Sequence, residues 1–134
     1  MTFDRRILIA DDDRDLRSGV VELLGGLCGL LGGQPCRFEI VQAEDGSAAL
    51  TILRRAPFHL ALLDMHMPGF TGLEILTALR LESLDVPCIV ISGEASEGVR
   101  KLALHEGACA VLRKPLEPAL LRAEVRRVLH LDAA

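Results

Sequence analysis

Five short apolar runs recur along this chain, and four of them lead straight into a residue able to do chemistry. The runs are Arg6-Ile7-Leu8-Ile9-Ala10, Phe38-Glu39-Ile40-Val41, Leu60-Ala61-Leu62-Leu63, Cys88-Ile89-Val90-Ile91 and Ala110-Val111-Leu112. Segments this short and this apolar read as strands covered on both faces, which is the pattern of a parallel sheet rather than of a half-solvated antiparallel one. Between them lie stretches with helical spacing. Leu73, Leu76 and Leu79 follow Thr71-Gly72-Leu73-Glu74, a capping-box sequence, and Leu121, Val125 and Val128 follow Pro118, which suits a first helical position.

Strand and helix therefore alternate five times. Right-handed crossovers turn that alternation into an α/β doubly wound five-stranded parallel sheet, for which the flavodoxin-like (βα)5 order 2-1-3-4-5 is the common small solution. A chain of 134 residues fits one such domain and can bury its core without disulfides. The net charge of −4, with 13 Arg against 2 Lys, gives no basic footprint for a phosphate backbone, so direct nucleic-acid binding by this chain is not expected. The start, Met1 to Arg6, runs into too short an apolar stretch for a signal peptide or a membrane span, so the reading is cytoplasmic with no membrane partner. Cys28, Cys36, Cys88 and Cys109 show no ligand-like spacing and read as reduced core filler, with a Cys28–Cys36 disulfide as the alternative.

In doubly wound sheets ligands bind beyond the carboxyl ends of the strands. There this chain places Asp11-Asp12-Asp13, Asp64, Ser92-Gly93 and Arg113-Lys114-Pro115. Two carboxylates about 4 Å apart repel by roughly 4 kcal/mol at an effective dielectric near 20, so converging acids call for a cation. Oxygen ligands from one or two carboxylates, completed by water and phosphate, are what Mg2+ prefers. A carboxylate can also attack phosphorus to give an aspartyl phosphate. Asp64 is the best nucleophile, because it stands alone and is followed by the loop Met65-His66-Met67-Pro68-Gly69, where the His66 carbonyl offers one more ligand. Taken singly, each residue has a plainer explanation: Asp11 to Asp13 as helix caps, Asp64 and Ser92 as turn residues, Lys114 as a solvated charge. Their joint placement at four strand ends is what argues for a site.

Those stretches, Ile7 to Asp13, Leu62 to Gly72, Ile89 to Gly93 and Lys114-Pro115, closely resemble the receiver domains of two-component response regulators over about Arg6 to Leu129. The resemblance implies that Asp64 accepts a phosphoryl group, that Asp11, Asp12, Asp64 and the His66 carbonyl hold Mg2+, and that Ser92 and Lys114 contact the phosphoryl group. It implies a cis peptide before Pro115, and a role for His66 and Glu94 in tuning phosphate lifetime. The implied partners are a sensor histidine kinase or phosphotransfer protein as donor, a downstream output protein or domain, and a second copy of the chain as a homodimer. On this reading the chain is a phosphoacceptor and not an enzyme acting on separate substrates. Two alternatives are a haloacid-dehalogenase-like phosphatase, with Asp11 as nucleophile and Asp13 as acid/base, and a phosphate-independent docking module of the same architecture.

The chain departs from that family in two places. Val111 stands three residues before Lys114, where the family usually carries an aromatic switch residue, and there is no Tyr or Trp. The segment at about 25–37 is longer than usual. Leu16, Val20, Leu23, Leu24, Leu27, Leu30 and Leu31 keep helical spacing, so the first helix is expected to run from Arg14 to Leu31, stopped by Gly32-Gly33; the alternative is a helix ending near Leu24 and an apolar loop. The longer helix would offer a partner surface through Ser18, Glu22, Gly25 and Gly29, with Leu27 and Leu30 beside it.

Overall fold

The computed structural model describes residues 4–25, 30–31, 33–94 and 96–131, with the backbone alone at 30 and 31. In chain order the elements are β1 (Arg5–Ala10), α1 (Arg14–Gly25), β2 (Leu30–Leu31), β3 (Gln34–Pro35), β4 (Phe38–Ala43), α2 (Gly46–Arg55), β5 (Leu60–Asp64), α3 (Gly72–Leu81), β6 (Cys88–Ser92), α4 (Glu97–His105), β7 (Ala110–Arg113) and α5 (Pro118–Leu129). The main sheet is parallel throughout, in the order β4-β1-β5-β6-β7. Counted among its own five strands this is 2-1-3-4-5, the expected order; the small β2–β3 ribbon is an addition to it.

Period-two alternation divides the strands' side chains between two cores. Leu8, Ala10, Ala61, Leu63, Cys88, Val90 and Val111 face α2, α3 and α4, where Leu50, Leu53, Ile75, Leu76 and Leu79 meet them. Ile7, Ile9, Leu60, Leu62, Ile89, Ile91 and Leu112 face α1 and α5, meeting Val20, Leu24, Leu121, Val125 and Leu129. Each fully buried Leu or Ile contributes about 1.5–3 kcal/mol relative to exposure, so the β1, β5 and β6 triplet is the most strongly held part of the molecule. The site sits on its carboxyl edge.

Local chemistry sets the helix starts. Asp45 accepts from the Ala48 N–H at α2, Thr71 and Glu74 close the expected capping box at α3, and Ser96 accepts from Val99 N–H at α4. Pro118 occupies the first turn of α5, as its sequence position suggested.

The long first helix is not formed. α1 stops at Gly25, and Leu30–Leu31 pairs antiparallel with Gln34–Pro35 around Gly33, whose φ of +82° suits a turn. Gly25, Gly26 and Gly29 would each cost a helix about 1 kcal/mol against Ala, and apolar spacing alone does not offset three of them. A partner surface built on a helix through Gly29 loses its basis. Leu27, Cys28 and Gly29 lie outside the described residues. Among the other cysteines, which are free, Cys88 is core filler as expected, but Cys36 is only half-buried and Cys109 is exposed.

Two close approaches bring helix starts against the site loop. A Cβ on Gly72 would stand 2.6 Å from the Asp64 carbonyl oxygen, and one on Gly46 would overlap the Phe70 backbone. Gly72→Ala should therefore lower stability by about 1–3 kcal/mol by pushing α3 off β5. Gly19→Ala, mid-helix with open space around it, should raise stability by about 0.5–1 kcal/mol. Thermal midpoints of the two variants check this pair.

At the opposite edge, His59 Nδ1 accepts the Arg6 N–H at 2.9 Å. Partial burial, then the Arg5 and Arg6 charges, hold its pKa below the ordinary histidine value. The folded state thus favours neutral imidazole, while the unfolded chain takes up a proton near pH 6.5. Stability should fall as pH drops through and below that value, and the His59→Asn difference from wild type should shrink with it in urea titrations at pH 7.5 and 5.5.

Candidate functional site

Beyond the ends of β1, β5, β6 and β7 the four predicted groups converge. Asp11 is wholly buried, Asp64 nearly so and Asp12 exposed, and one carboxylate oxygen from each lies within 4.8 Å of the others. The Lys114 ammonium bridges two of them, 3.0 Å from Asp11 Oδ2 and 3.2 Å from Asp64 Oδ2. The contact with Asp11 is ionic rather than a well-aligned hydrogen bond: the buried Oδ2 meets no hydrogen-bond donor in good geometry.

Electrostatics follow from this crowding. Burial is the main reason the Asp11 carboxyl titrates above its ordinary range; the Asp13 N–H and the Lys114 charge pull it back, and Asp64 adds to the rise. For Lys114, burial alone would lower the pKa, but the Asp11 and Asp64 carboxylates outweigh it and hold the ammonium above the usual lysine value.

The remaining groups are held locally. Asp13 caps α1, its Oδ1 accepting from the Asp15 and Leu16 N–H groups at 2.9 and 3.3 Å, so it is committed to the helix start. The phosphatase alternative, which needs Asp13 as acid/base, finds no support in that arrangement. Ser92 Oγ is buried and turned onto its own loop, donating to the Glu94 carbonyl and accepting from the Glu94 N–H, both at 3.0 Å. It is not aimed at Asp64. The His66 N–H donates to Asp64 Oδ1 at 3.3 Å, and the His66 side chain is exposed. The peptide between Lys114 and Pro115 is cis. Val111 is buried against the α2–α4 core.

Sequence reasoning missed the support of the Asp11 turn. Arg17, one turn into α1, donates from Nη1 to the Asp11 carbonyl at 2.7 Å and from Nε to Gln42 Oε1 at 3.1 Å. The available signal was its spacing, four residues beyond the cap Asp13, on a helix whose first turn faces the acids. It missed the close packing of Gly72 too, although that glycine stood inside the quoted motif.

The pattern of a response regulator receiver domain matches residues 7–126 of the chain. The chain belongs to that family. The transcriptional regulatory protein CpxR of Escherichia coli is 36% identical over 125 residues, covering 93% of this chain and 49% of its own length. The chain thus spans about half of the curated relatives it matches. Among solved structures, the receiver domain of a NarL regulator from Mycobacterium tuberculosis superposes with a TM-score of 0.81 at 28% identity, covering 96% of this chain and 98% of that one. The chemotaxis protein CheY4 of Vibrio cholerae gives a TM-score of 0.78 at 29% identity, covering 93% and 98%. The receiver's place in two-component signal transduction follows from family membership, and among the described residues no helix is long and apolar enough to cross a membrane.

The raised Asp11 pKa means that the metal-free folded state gives up stability as pH climbs above about 4. Asp11→Asn removes the buried charge yet keeps an oxygen for the Asp13 N–H, which now donates to Oδ1 at 2.9 Å. This variant should be more stable than the parent at pH 7 without metal, by about 1 kcal/mol, as substitutions that relieve a strained functional site often are. The gain should vanish at pH 3; urea unfolding at both pH values reads it.

Proposed function

We propose that this receiver domain, read as one unit over residues 1–134, accepts a phosphoryl group onto Asp64 from a histidine kinase or phosphotransfer protein in a Mg2+-dependent reaction. The observation that carries the reading is the Lys114 ammonium held between Asp11 and Asp64 at a sheet edge where three carboxylates meet. The donor set fits the metal. It offers hard oxygen ligands from Asp11, Asp12, Asp64 and the His66 main-chain carbonyl, and the buried Asp11 Oδ2 lacks a hydrogen-bond donor that a cation would replace. When bound, Mg2+ supplies charge neutralisation for carboxylates and phosphoryl oxygens together.

The chain's own residues do the rest. An Asp64 carboxylate oxygen bonds to phosphorus as the donor's bond to phosphorus breaks, and the donor leaves with the electron pair. Lys114 shifts from the bare carboxylates onto a phosphoryl oxygen, where its charge stabilises what develops there. Ser92 exchanges its bonds to Glu94 for one to the phosphoryl group, which frees the Gly93-to-Ser96 loop. Because Val111 is β-branched, short and already buried, it stays packed in both states, and the loop carries the change outward. Hydrolysis of the acyl phosphate, tuned by His66 and Glu94, resets the domain; it is not an enzyme that turns over separate substrates. The output is a changed protein-interaction surface, toward a downstream protein or domain or a second copy of the chain, in the cytoplasm.

Mass spectrometry after incubation with acetyl phosphate and Mg2+ tests the assignment. One phosphoryl adduct should form per chain, disappear on adding EDTA beforehand, and be absent in Asp64→Asn. An acid-stable adduct of full stoichiometry in that variant would place the phosphate elsewhere.

A further inference from the structure

The Asp11–Asp13 turn is fixed from three sides. The Asp11 N–H donates to the Ala43 carbonyl at 3.1 Å, the Asp13 N–H donates to Asp11 Oδ1 at 2.9 Å, and Arg17 clamps the Asp11 carbonyl at 2.7 Å. The third hold differs in kind from the others, because it comes from a side chain that is itself anchored. Arg17 Nε reaches across to Gln42 Oε1 on β4, so one guanidinium ties together the helix α1, the peptide that follows β1 and the neighbouring strand. Asp12 is the next residue, exposed, and its position in the carboxylate cluster is set by the direction in which that peptide leaves Asp11.

We infer that Arg17, braced by Gln42, is a positioning residue for Mg2+: it fixes the Asp11–Asp12 peptide and thereby presents both carboxylates in the geometry the ion requires. This rests on the proposed Mg2+ site. The demand is real for this ion, since Mg2+ takes near-ideal octahedral geometry and tolerates displaced ligands poorly. An arginine is suited to the task because its planar fork can donate along two fixed directions at once, where a lysine offers a single point charge.

The sign of the effect separates positioning from simple proximity. A guanidinium close to an acidic cluster repels a divalent cation, so if Arg17 were only a nearby charge, its removal would tighten Mg2+ binding. If it positions the turn, its removal loosens binding despite the lost repulsion. Groups that orient metal ligands from outside the coordination shell typically contribute 10–100-fold to affinity, and Arg17 acts one peptide further away, so about tenfold is expected.

The experiment is a Mg2+ titration of wild type, Arg17→Gln, Arg17→Lys and Gln42→Leu, read by backbone amide NMR shifts because the chain has no Trp or Tyr to report by fluorescence. Arg17→Gln and Arg17→Lys should both bind Mg2+ about tenfold more weakly, and Gln42→Leu should shift in the same direction by less. Thermal midpoints without metal should stay near wild type. The rate of phosphorylation by acetyl phosphate should recover toward wild type at saturating Mg2+, which general loss of structure would not allow. Equal or tighter binding in Arg17→Gln overturns the inference, as does weakening in Arg17→Gln with full affinity in Arg17→Lys, which would show that a single ammonium suffices and that the two-directional guanidinium hold on Asp11 and Gln42 does not position the turn. Should Arg17→Gln not fold, Arg17→Lys and Gln42→Leu decide the question by the same criteria. Failure of the wild type itself to bind Mg2+ would instead remove the metal site, and is read separately.

Discussion

Everything at the carboxyl edge of the sheet depends on one electrostatic constraint: two buried carboxylates, Asp11 and Asp64, share a single partly exposed ammonium, Lys114, while a third acid stands beside them. One positive charge does not neutralise three negative ones. At an effective dielectric near 20, each pair of charges about 4 Å apart carries roughly 4 kcal/mol, so the arrangement persists only because the apolar sheet beneath it is strongly held. The resulting site has a standing demand for positive charge, and under the proposed phosphoryl transfer the incoming group and its cation would change which partner Lys114 prefers.

The scaffold is built to keep the imbalance in place. Gly72 lets the first turn of α3 lie directly against the Asp64 peptide, and Gly46 lets the start of α2 lie against Phe70, so the loop between β5 and α3 is pressed from two sides. The Gly46 N–H donates to the Pro68 carbonyl and the Met65 N–H to the Ile91 carbonyl, at 2.9 and 2.8 Å, which settles the backbone of that loop without using the Asp64, Ser92 or Lys114 side chains. On the β1 side, Arg17 and Gln42 do the same for the acidic turn. By contrast the Ser92 hydroxyl, among the described residues, bonds to its own loop, at Glu94 two residues away.

The sheet and its order were legible in the sequence because the signal for both is collective: five apolar runs, each too short for a helix, alternating with helical spacing, leave few topologies open. Asp11, Asp12, Asp64, Ser92 and Lys114 were legible for a related reason, since in a doubly wound sheet the residue after each strand must lie at the same edge. What misled was spacing taken without its cost. The leucines from Leu16 to Leu31 keep a helical period, but the glycines among them make a helix expensive and a turn cheap, and the chain folds back as a ribbon at Gly33. What was invisible was geometry that no period encodes. Nothing in the spacing of Arg17 and Gln42, 25 residues apart, announces that they meet, and the present direction of the Ser92 hydroxyl follows from a loop conformation rather than from residue type.

The most direct test of the central claim is a crystal structure of the protein with Mg2+ and beryllofluoride. That structure should show beryllium bonded to a carboxylate oxygen of Asp64, a metal among Asp11, Asp12, Asp64 and the His66 carbonyl, Lys114 moved from the Asp64 carboxylate to a fluoride, and Ser92 Oγ turned away from Glu94 toward another. A structure grown with both present in excess, in which Lys114 still bridges Asp11 and Asp64 and no metal lies among the acids, would contradict it.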